Sequence, residues 1–252
     1  MEIITGYTGK PHVTSEQDRD VNIGVVGEGS YVLQTGMQLA AEVSSNNEIK
    51  IRDGVLMHQG CTASIKKNTY DSLTITNGSQ GMKRVDLIVA RYEKNQDNGI
   101  ESLDLKVIQG TPAESNPAAP QYTEGDIQAG DYVADMPMYQ VIIEGLNITE
   151  VKKMFKVIGS NKELAAKLPV YGTTPIIETG ANSYKDTSVK FGKTFSKAPF
   201  VLLTLSGGSQ NTKTFAAQVR DVSTTGMTIR TVNGYNSSVS MFINWCAFPK
   251  EA

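Results

Sequence analysis

The chain has 252 residues, of which 39% are hydrophobic and 20% are charged, so it can build a core and carries too little charge for a disordered chain. Its length predicts one large domain or two modest ones. No window approaches the roughly 18 uninterrupted apolar residues that span a bilayer, and the first residues lack the basic and apolar regions of a signal peptide. Membrane insertion and signal-peptide secretion are therefore not expected.

Charge is distributed unevenly along the chain. Residues 1–148 carry 11 basic and 20 acidic side chains, a net charge of −9, whereas residues 149–169 carry +3 and residues 170–252 carry +4. The last segment also holds 10 of the 18 aromatic residues. These differences predict two domains with different partners. A charge of +4 over the last segment is too dilute for a nucleic-acid surface, so nucleic-acid binding is not expected.

In the N-terminal region, apolar residues recur mostly at every second position between turn-forming Gly, Asn and Asp residues, which predicts a mainly β domain. The glycines at 24–29 lack a following GKS/T and are predicted to serve turns with positive φ. Residues 48–52 are predicted to form a hairpin with residues 55–57 across an Asp53-Gly54 turn. The longest predicted strand pair joins residues 84–92 to residues 102–108.

Helical spacing is found mainly in the middle of the chain. Apolar residues step by three, four and three along one stripe, which predicts a helix beginning near Thr149, and a capping-box pattern predicts a second helix at residues 161–168. The stripe consists of Ile148, Val151, Phe155 and Ile158. It either bundles with copies of itself around a symmetry axis or packs under the N-terminal domain, and the sequence leaves both possibilities open.

The C-terminal region is predicted to form an antiparallel β-sandwich of five or six strands. In the last strand, residues 239–248, the odd positions are apolar and are predicted to face the core, which places Trp245 inside. Phe242 and Phe248 then stand on the opposite face. Apolar groups on both faces of a strand imply cover on both sides, and for so small a module the predicted cover is another subunit.

Chemical motifs for catalysis are absent. There is no GxSxG, HExxH or Walker motif, and His12 and His58 have no Cys, His or Asp partner at metal-ligand spacing. Cys61 and Cys246 form neither a CxxC pair nor a disulfide framework, which fits synthesis in a reducing compartment. We therefore expect no enzyme, no cofactor and no metal. A glycosidase remains an alternative, because it needs only two carboxylates brought together by folding.

Residues 14–64 contain an ordered set of motifs, namely TSEQD at 14–18, TGMQLA at 35–40 and NNEIKIRDG at 46–54. This set resembles the N-terminal domain of baseplate and tail-tip proteins of siphophages and prophages of Gram-positive bacteria. Together with the strand pair at 84–108, the resemblance covers about residues 1–150. It implies attachment to the baseplate or tail of a virion, and a protein that is made in the bacterial cytoplasm.

The C-terminal region contains VKFGKTF at 189–195, APFV at 198–201, VRDV at 219–222, TTGM at 224–227 and NWCA at 244–247. These segments are similar to the H-type lectin-like domain of phage fibre tips and invertebrate agglutinins. That family is a small antiparallel sandwich that trimerises and binds sugars. Met227 replaces a common aromatic residue, and the ending at 247–249 departs from the family, so the fold transfers better than the sugar specificity.

The resemblance implies that the chain has three parts. Residues 1–148 would form a β domain that attaches to the tail, residues 149–169 a helical linker that trimerises, and residues 170–252 the lectin-like sandwich. A homotrimer would present the last part to host cell-surface glycan. The predicted interface comprises the helical stripe with Phe242 and Phe248.

A sugar site needs a flat aromatic face for C–H groups and planar amides or guanidinium for hydroxyls. Two predicted loops supply these groups. The predicted ligand-binding residues are Arg230, Asn233, Tyr235, Asn236, Gln210 and Asn211. Two other functions stay open, namely a structural tail or baseplate component that binds no sugar, and a glycan-degrading tip enzyme.

Overall fold

The computed structural model describes residues 13–206 and 215–250. The chain forms two compact units, Met1–Gly159 and Ser160–Ala252. Strands dominate both units and pair almost entirely in antiparallel fashion, which confirms the predicted mainly β fold. Within the described ranges, no helix is long and apolar enough to cross a bilayer.

The N-terminal unit consists of two sheets that share one core. Its elements are α1 (Ser15–Val26), β1 (Ser30–Leu33), β2 (Ala41–Ser45), β3 (Glu48–His58), β4 (Cys61–Thr74), β5 (Lys83–Lys94), β6 (Glu101–Ile108), β7 (Val133–Glu144), β8 (Asn147–Lys153) and β9 (Val157–Ile158). One sheet has the order β2-β3-β1-β9, with β4 as a fifth strand paired to β3, and the other has the order β6-β5-β7-β8. Buried apolar side chains from both sheets form a single cluster.

The predicted strand pair at 84–92 and 102–108 is confirmed as the antiparallel pair β5 and β6. Leu103, Leu105 and Val107 of β6 pack against the core, whereas Asp104 and Lys106 between them are exposed. Period-two alternation therefore predicted both the pairing and the buried face of this strand.

Helix α1 was not predicted, although its start carries a clear signal. The Thr14 hydroxyl accepts a hydrogen bond from the Gln17 amide, and the Gln17 side chain accepts one from the Thr14 amide, which together form a capping box. Arg19 is buried and forms an ion pair with Glu101 of β6 at 3.1 Å. Gly24 lies in this helix, whereas Gly27 and Gly29 have the predicted positive φ.

The predicted hairpin turn at Asp53-Gly54 is wrong, because β3 continues through it as a single strand. The pairing of β3 with β4 is irregular between Arg52 and Gly54, because β4 advances five positions, from Ile65 to Tyr70, where β3 advances two. The Asp53 carbonyl accepts a hydrogen bond from the amide of Met37 at 2.8 Å. The Asp53-Gly54 pair therefore lies inside a strand, where its backbone binds the segment that contains Met37.

The predicted helix beginning near Thr149 is also wrong, because the segment forms β8 and β9 with residues 154–156 between them. Strand β8 pairs with β7, and the register shifts so that Thr149 has no opposite residue between Ile148 and Glu150. An extra residue in a strand reverses the alternation of faces. Ile148 and Val151 can therefore face the same core although three positions separate them, and the helical spacing arises from a bulge.

The residues of that stripe belong to the N-terminal unit. Ile148 and Val151 pack against its core, and Phe155 is buried there with its ring edge-on to Tyr139 at 5.4 Å between centroids. Ile158 lies opposite Leu33 in the parallel pair of β9 and β1. The structure thus corrects the predicted oligomer interface at these four positions, in favour of the alternative that the stripe packs into the N-terminal domain.

The C-terminal unit is a two-sheet sandwich. In one sheet, β16 pairs with β10, β11 and β13, and the other sheet has the order β12-β15-β14. Buried side chains from both sheets form one cluster. The elements are α2 (Asn161–Lys167), β10 (Val170–Thr173), β11 (Ile177–Thr179), β12 (Ser183–Lys190), β13 (Phe200–Ser206), β14 (Phe215–Val222), β15 (Gly226–Asn233) and β16 (Val239–Phe248).

The predicted phase of β16 is confirmed, because every odd position from 239 to 247 is buried. Trp245 lies 5.7 Å from the Phe191 ring, centroid to centroid. Gly172 of β10 lies opposite Trp245, and a Cβ there would approach the indole at 2.7 Å. The second predicted helix is confirmed as α2, with the Ser160 hydroxyl capping its start.

Candidate functional site

The outer face of the sheet β12-β15-β14 carries an organised set of polar and aromatic side chains. Register places Arg230 of β15 between Asp186 of β12 and Gln218 of β14. Two residues further along β15, on the same face, Val232 lies opposite Tyr184 of β12. Alternation turns these five residues away from the core.

Arg230 is held in place on two sides. Its Nε and Nη2 atoms donate to the two carboxylate oxygens of Asp186 at 2.7 and 2.6 Å. Its guanidinium carbon lies 4.2 Å from the centroid of the Tyr184 ring, a cation–π contact. The Tyr184 side chain nevertheless remains 61% exposed. The arrangement therefore combines an oriented donor with an accessible aromatic surface.

These side chains surround a shallow, open depression with a volume of about 500 Å³. Its lining consists of Asn182, Ser183, Tyr184, Gln218, Arg230, Val232, Asn233 and Gly234. Amides, a hydroxyl, a guanidinium and an aromatic ring thus share one surface. Such groups donate to and accept from the hydroxyl groups of a ligand and cover its C–H groups.

Both members of the ion pair remain charged across the physiological pH range. The hydrogen bond from Arg230 lowers the pKa of Asp186 below its ordinary value. The same contact raises the pKa of Arg230. The depression therefore offers the cationic donor Arg230, held by a carboxylate that lies outside the lining.

Of the predicted site residues, Arg230 lies in the depression and Asn233 reaches only its edge. The Asn233 side chain is 1% exposed. Its amide donates to the carbonyls of Thr179, Gly180 and Ser237, and its oxygen accepts from the Tyr235 amide. Because every polar atom of this side chain is satisfied internally, Asn233 fixes the loop, which corrects its predicted role as a ligand contact.

The other predicted residues are less closely placed. Tyr235 and Asn236 are exposed on the loop after β15, and the Tyr235 carbonyl accepts from the amide of Asn182, which lines the depression. Their own side chains are not among its lining. Gln210 and Asn211 lie outside the described residues.

Tyr184, Asp186 and Gln218 were missed by the sequence-based prediction. Their signal was available, since Tyr184 and Asp186 alternate along β12 in the phase opposite to the partly buried Thr187 and Val189. Their position beside Arg230 depends on the pairing of three strands that are distant in the chain, which no local pattern gives.

The other sheet of the sandwich has a contrasting outer face. Across β10, β13 and β16, the outward positions carry no charged side chain, whereas Glu178 of β11 is exposed on the same side, opposite Ser240. Phe242 and Phe248 stand on the outer face as predicted, 36% and 37% exposed. We call this surface the apolar face. Its large exposed side chains are Tyr171, Phe200, Leu202, Phe242 and Phe248.

The N-terminal unit pairs a serine with a histidine, but the pair lacks the third member of a charge relay. The Ser30 hydroxyl lies 2.7 Å from Nδ1 of His58, whereas Nε2 of His58 is buried without a hydrogen-bond partner among the described residues. A relay needs an acid at that second nitrogen. Residues 13–206 and 215–250 also contain no cluster of potential metal ligands.

Comparisons with known proteins single out the C-terminal unit. Residues 186–248 match the H-type lectin domain, a range that includes Asp186, Gln218 and Arg230. Among solved structures, the chain is similar to recombinant discoidin II of Dictyostelium discoideum, at 9% identity over 79% of this chain and 83% of that one. The TM-score of 0.28 is too low to establish a common fold. No curated protein matches the chain.

Proposed function

We propose that this chain is a tail receptor-binding protein of a phage or prophage, whose C-terminal unit binds host cell-surface glycan. The observation that carries the proposal is the Tyr184–Arg230–Asp186 arrangement, because Tyr184 and Arg230 line an open depression and Asp186 holds Arg230 in place. Residues 186–248 of the same sandwich match the H-type lectin domain. The virion would be its location, after synthesis in the bacterial cytoplasm.

The depression has the groups that a shallow sugar site requires. The exposed face of Tyr184 covers the C–H groups of a sugar ring, while the guanidinium of Arg230 donates to hydroxyl oxygens. The Gln218 amide can both donate and accept, and Asp186 orients Arg230 from outside the lining. Because Asp186 already holds Arg230, little side-chain entropy is lost on binding.

Self-association as a homotrimer is the second part of the proposal. The apolar face supports it, because large exposed apolar patches mark interfaces and its large exposed side chains carry no charge that contact with a copy would desolvate. The trimeric state follows the resemblance to H-type lectin-like domains. Three linked sites would raise the avidity of weak individual contacts by roughly a hundredfold or more.

Attachment to a baseplate or tail is assigned to the N-terminal unit. Its support is the resemblance of residues 14–64 to tail-tip proteins, together with the net charge of −9 over residues 1–148, which contrasts with +4 over residues 170–252. The two units would then meet different partners, tail proteins on one side and glycan on the other.

The proposal predicts that Tyr184→Ala weakens glycan binding about fivefold per site, because an aromatic contact contributes on the order of 1 kcal/mol. Titration of the full-length wild type and variant with an oligosaccharide that the wild type binds gives the two affinities. Tyr235→Ala provides the comparison, since that side chain is exposed but does not line the depression. A larger loss in Tyr235→Ala would move the site to the loop.

The proposal also predicts a particle of three times the 27.3 kDa chain mass in light scattering. The double variant Phe200→Glu/Phe248→Glu, at facing positions of β13 and β16, is expected to give monomers, because assembly would desolvate like charges close together. Val232→Glu, on the opposite sheet with similar exposure of 38%, should keep the trimer mass. A monomeric wild type would refute the assembly.

A further inference from the structure

The turn between β3 and β4, Gln59-Gly60, is a junction of the N-terminal unit. The Gln59 amide donates to the Gly29 carbonyl at 2.9 Å, which fixes the entry to β1. The Gln59 side chain donates to the Gly125 carbonyl at 2.8 Å and accepts from the Ile127 amide at 2.7 Å. This one side chain therefore ties the connection between β6 and β7 to the turn.

Helix α1 is tied to the same turn. The Asn22 side chain donates to the Gly60 carbonyl at 3.0 Å. Gly60 has φ +87°, and a Cβ there would lie 2.8 Å from the Arg19 carbonyl oxygen and 3.1 Å from the Ile23 side chain. The helix thus rests directly on the turn, and any movement of the turn loosens both α1 and the segment at 125–128.

His58 is the titratable residue at this junction, immediately before the turn. Its side chain is 3% exposed. Nδ1 lies 2.7 Å from the Ser30 hydroxyl across the last pair of β1 and β3, whereas Nε2 has no hydrogen-bond partner among the described residues. A neutral ring tolerates this placement, but an imidazolium would bury a charge to which no carboxylate is hydrogen-bonded among the described residues.

The charged group that faces His58 does not offer a ready partner. Asp135 of β7 acts on it electrostatically, but the Asp135 oxygens already accept from Arg91 of β5 at 2.7 and 2.8 Å and from the Thr123 amide at 2.8 Å. The other neighbouring polar groups are the Ser30 hydroxyl of β1 and the Ala134 carbonyl of β7. Burial prevails over these contacts and lowers the pKa of His58 below 6.5.

We propose that His58 makes the Gln59-Gly60 junction an acid-sensitive clamp. Protonation drives the imidazolium toward water, which opens the end of the β1–β3 pair and releases α1 and residues 125–128 from the turn. The central strands β5 and β7 keep their pairing, because their long ladder does not pass through the junction.

The direction of the pH dependence follows from linkage. A group with a lower pKa in the closed state than in the open state binds fewer protons when closed. Its contribution to the stability of the closed state is therefore complete above about pH 6.5 and is lost as the pH falls. If His58 stays neutral in the closed state, the opening equilibrium rises at most about 25-fold between pH 7 and pH 5.

Amide hydrogen exchange on the full chain at pH 7 and pH 5, corrected for the intrinsic rate, tests the clamp. We expect protection of residues 15–26 and 125–128 to fall at pH 5 by a factor approaching 25, while β5 and β7 keep theirs. His58→Gln should remove this difference, whereas His12→Gln, which changes the only other histidine, should leave it.

Unchanged protection in the wild type, or an equal loss in His58→Gln, would overturn the proposal. So would a loss spread evenly over all strands. If His58→Gln fails to fold, the wild-type imidazole can be titrated directly by NMR. A midpoint at or above 6.5 would contradict the clamp, and a midpoint below it that coincides with the loss of α1 protection would support it.

Discussion

Arg230→Ala is expected to lower glycan affinity by about tenfold to a hundredfold per site, because hydrogen bonds to charged groups contribute about 1.5–3 kcal/mol. The substitution removes the donor, uncovers the Tyr184 ring and leaves Asp186 without its ionic partner. In a trimer the loss would be multiplied by the number of sites engaged together. Titration of wild type and variant with the same oligosaccharide measures the effect.

Lys190→Ala is the matched control for this prediction. Lys190 lies at the other end of β12, where it is exposed and opposite Gly226. Removing its charge should leave glycan affinity unchanged. Equal losses in the two variants would show that general positive charge, rather than the Tyr184–Arg230–Asp186 arrangement, attracts the ligand.

Asp86→Ala is expected to destabilise the N-terminal unit by about 3–5 kcal/mol, because it leaves a buried arginine unpaired. Asp86 is 0% exposed and Arg84 is 3% exposed. The Asp86 carboxylate accepts from Arg84 at 2.8 and 3.0 Å and from the Gly110 amide at 2.9 Å. Denaturant unfolding, followed by a probe in the N-terminal unit, gives the free energy of unfolding.

A second ion pair offers a control, because Lys83 precedes Arg84 in β5 and pairs with Glu144 of β7. Lys83 and Glu144 lie 2.9 Å apart, but their side chains are half exposed, and exposed pairs contribute about 0–1 kcal/mol. Glu144→Ala should therefore cost less than about 1 kcal/mol. A cost for Asp86→Ala no greater than this would mean that water reaches Arg84 in the variant.

Strands were predictable where pairing is regular. In β16 and β6 the apolar residues alternate without interruption, so period two alone identified their buried faces. The outward position of Phe242 and Phe248 followed from the same rule. Local alternation determines which face of a strand is buried, and it does so without knowledge of the partner strand.

Irregular pairing is what the sequence could not predict. The extra residue at Thr149 gives Ile148 and Val151 the spacing of a helix, and an Asp-Gly pair lies inside β3, where the pairing with β4 is irregular. In both cases a tertiary contact decides the local conformation. A sequence pattern contains the residue types but carries no information about these tertiary contacts.

The candidate site was predictable only in part for a similar reason. Arg230 was identified from residue type, but its partner Asp186 is 44 positions away and meets it through strand register. Asn233 belongs to a segment with the composition of a ligand-binding loop. Its side chain nevertheless makes four hydrogen bonds to the backbone of residues 179, 180, 235 and 237, which the sequence does not reveal. Composition suggested a sugar site, and the sheet determined its location.

A glycan array probed with the assembled full chain tests the central claim most directly. The account predicts saturable binding to at least one class of glycan, competed by the free sugar and reduced in Arg230→Ala. An array without any saturable, sugar-competable signal from a correctly folded wild-type protein would contradict it and would favour a structural tail component.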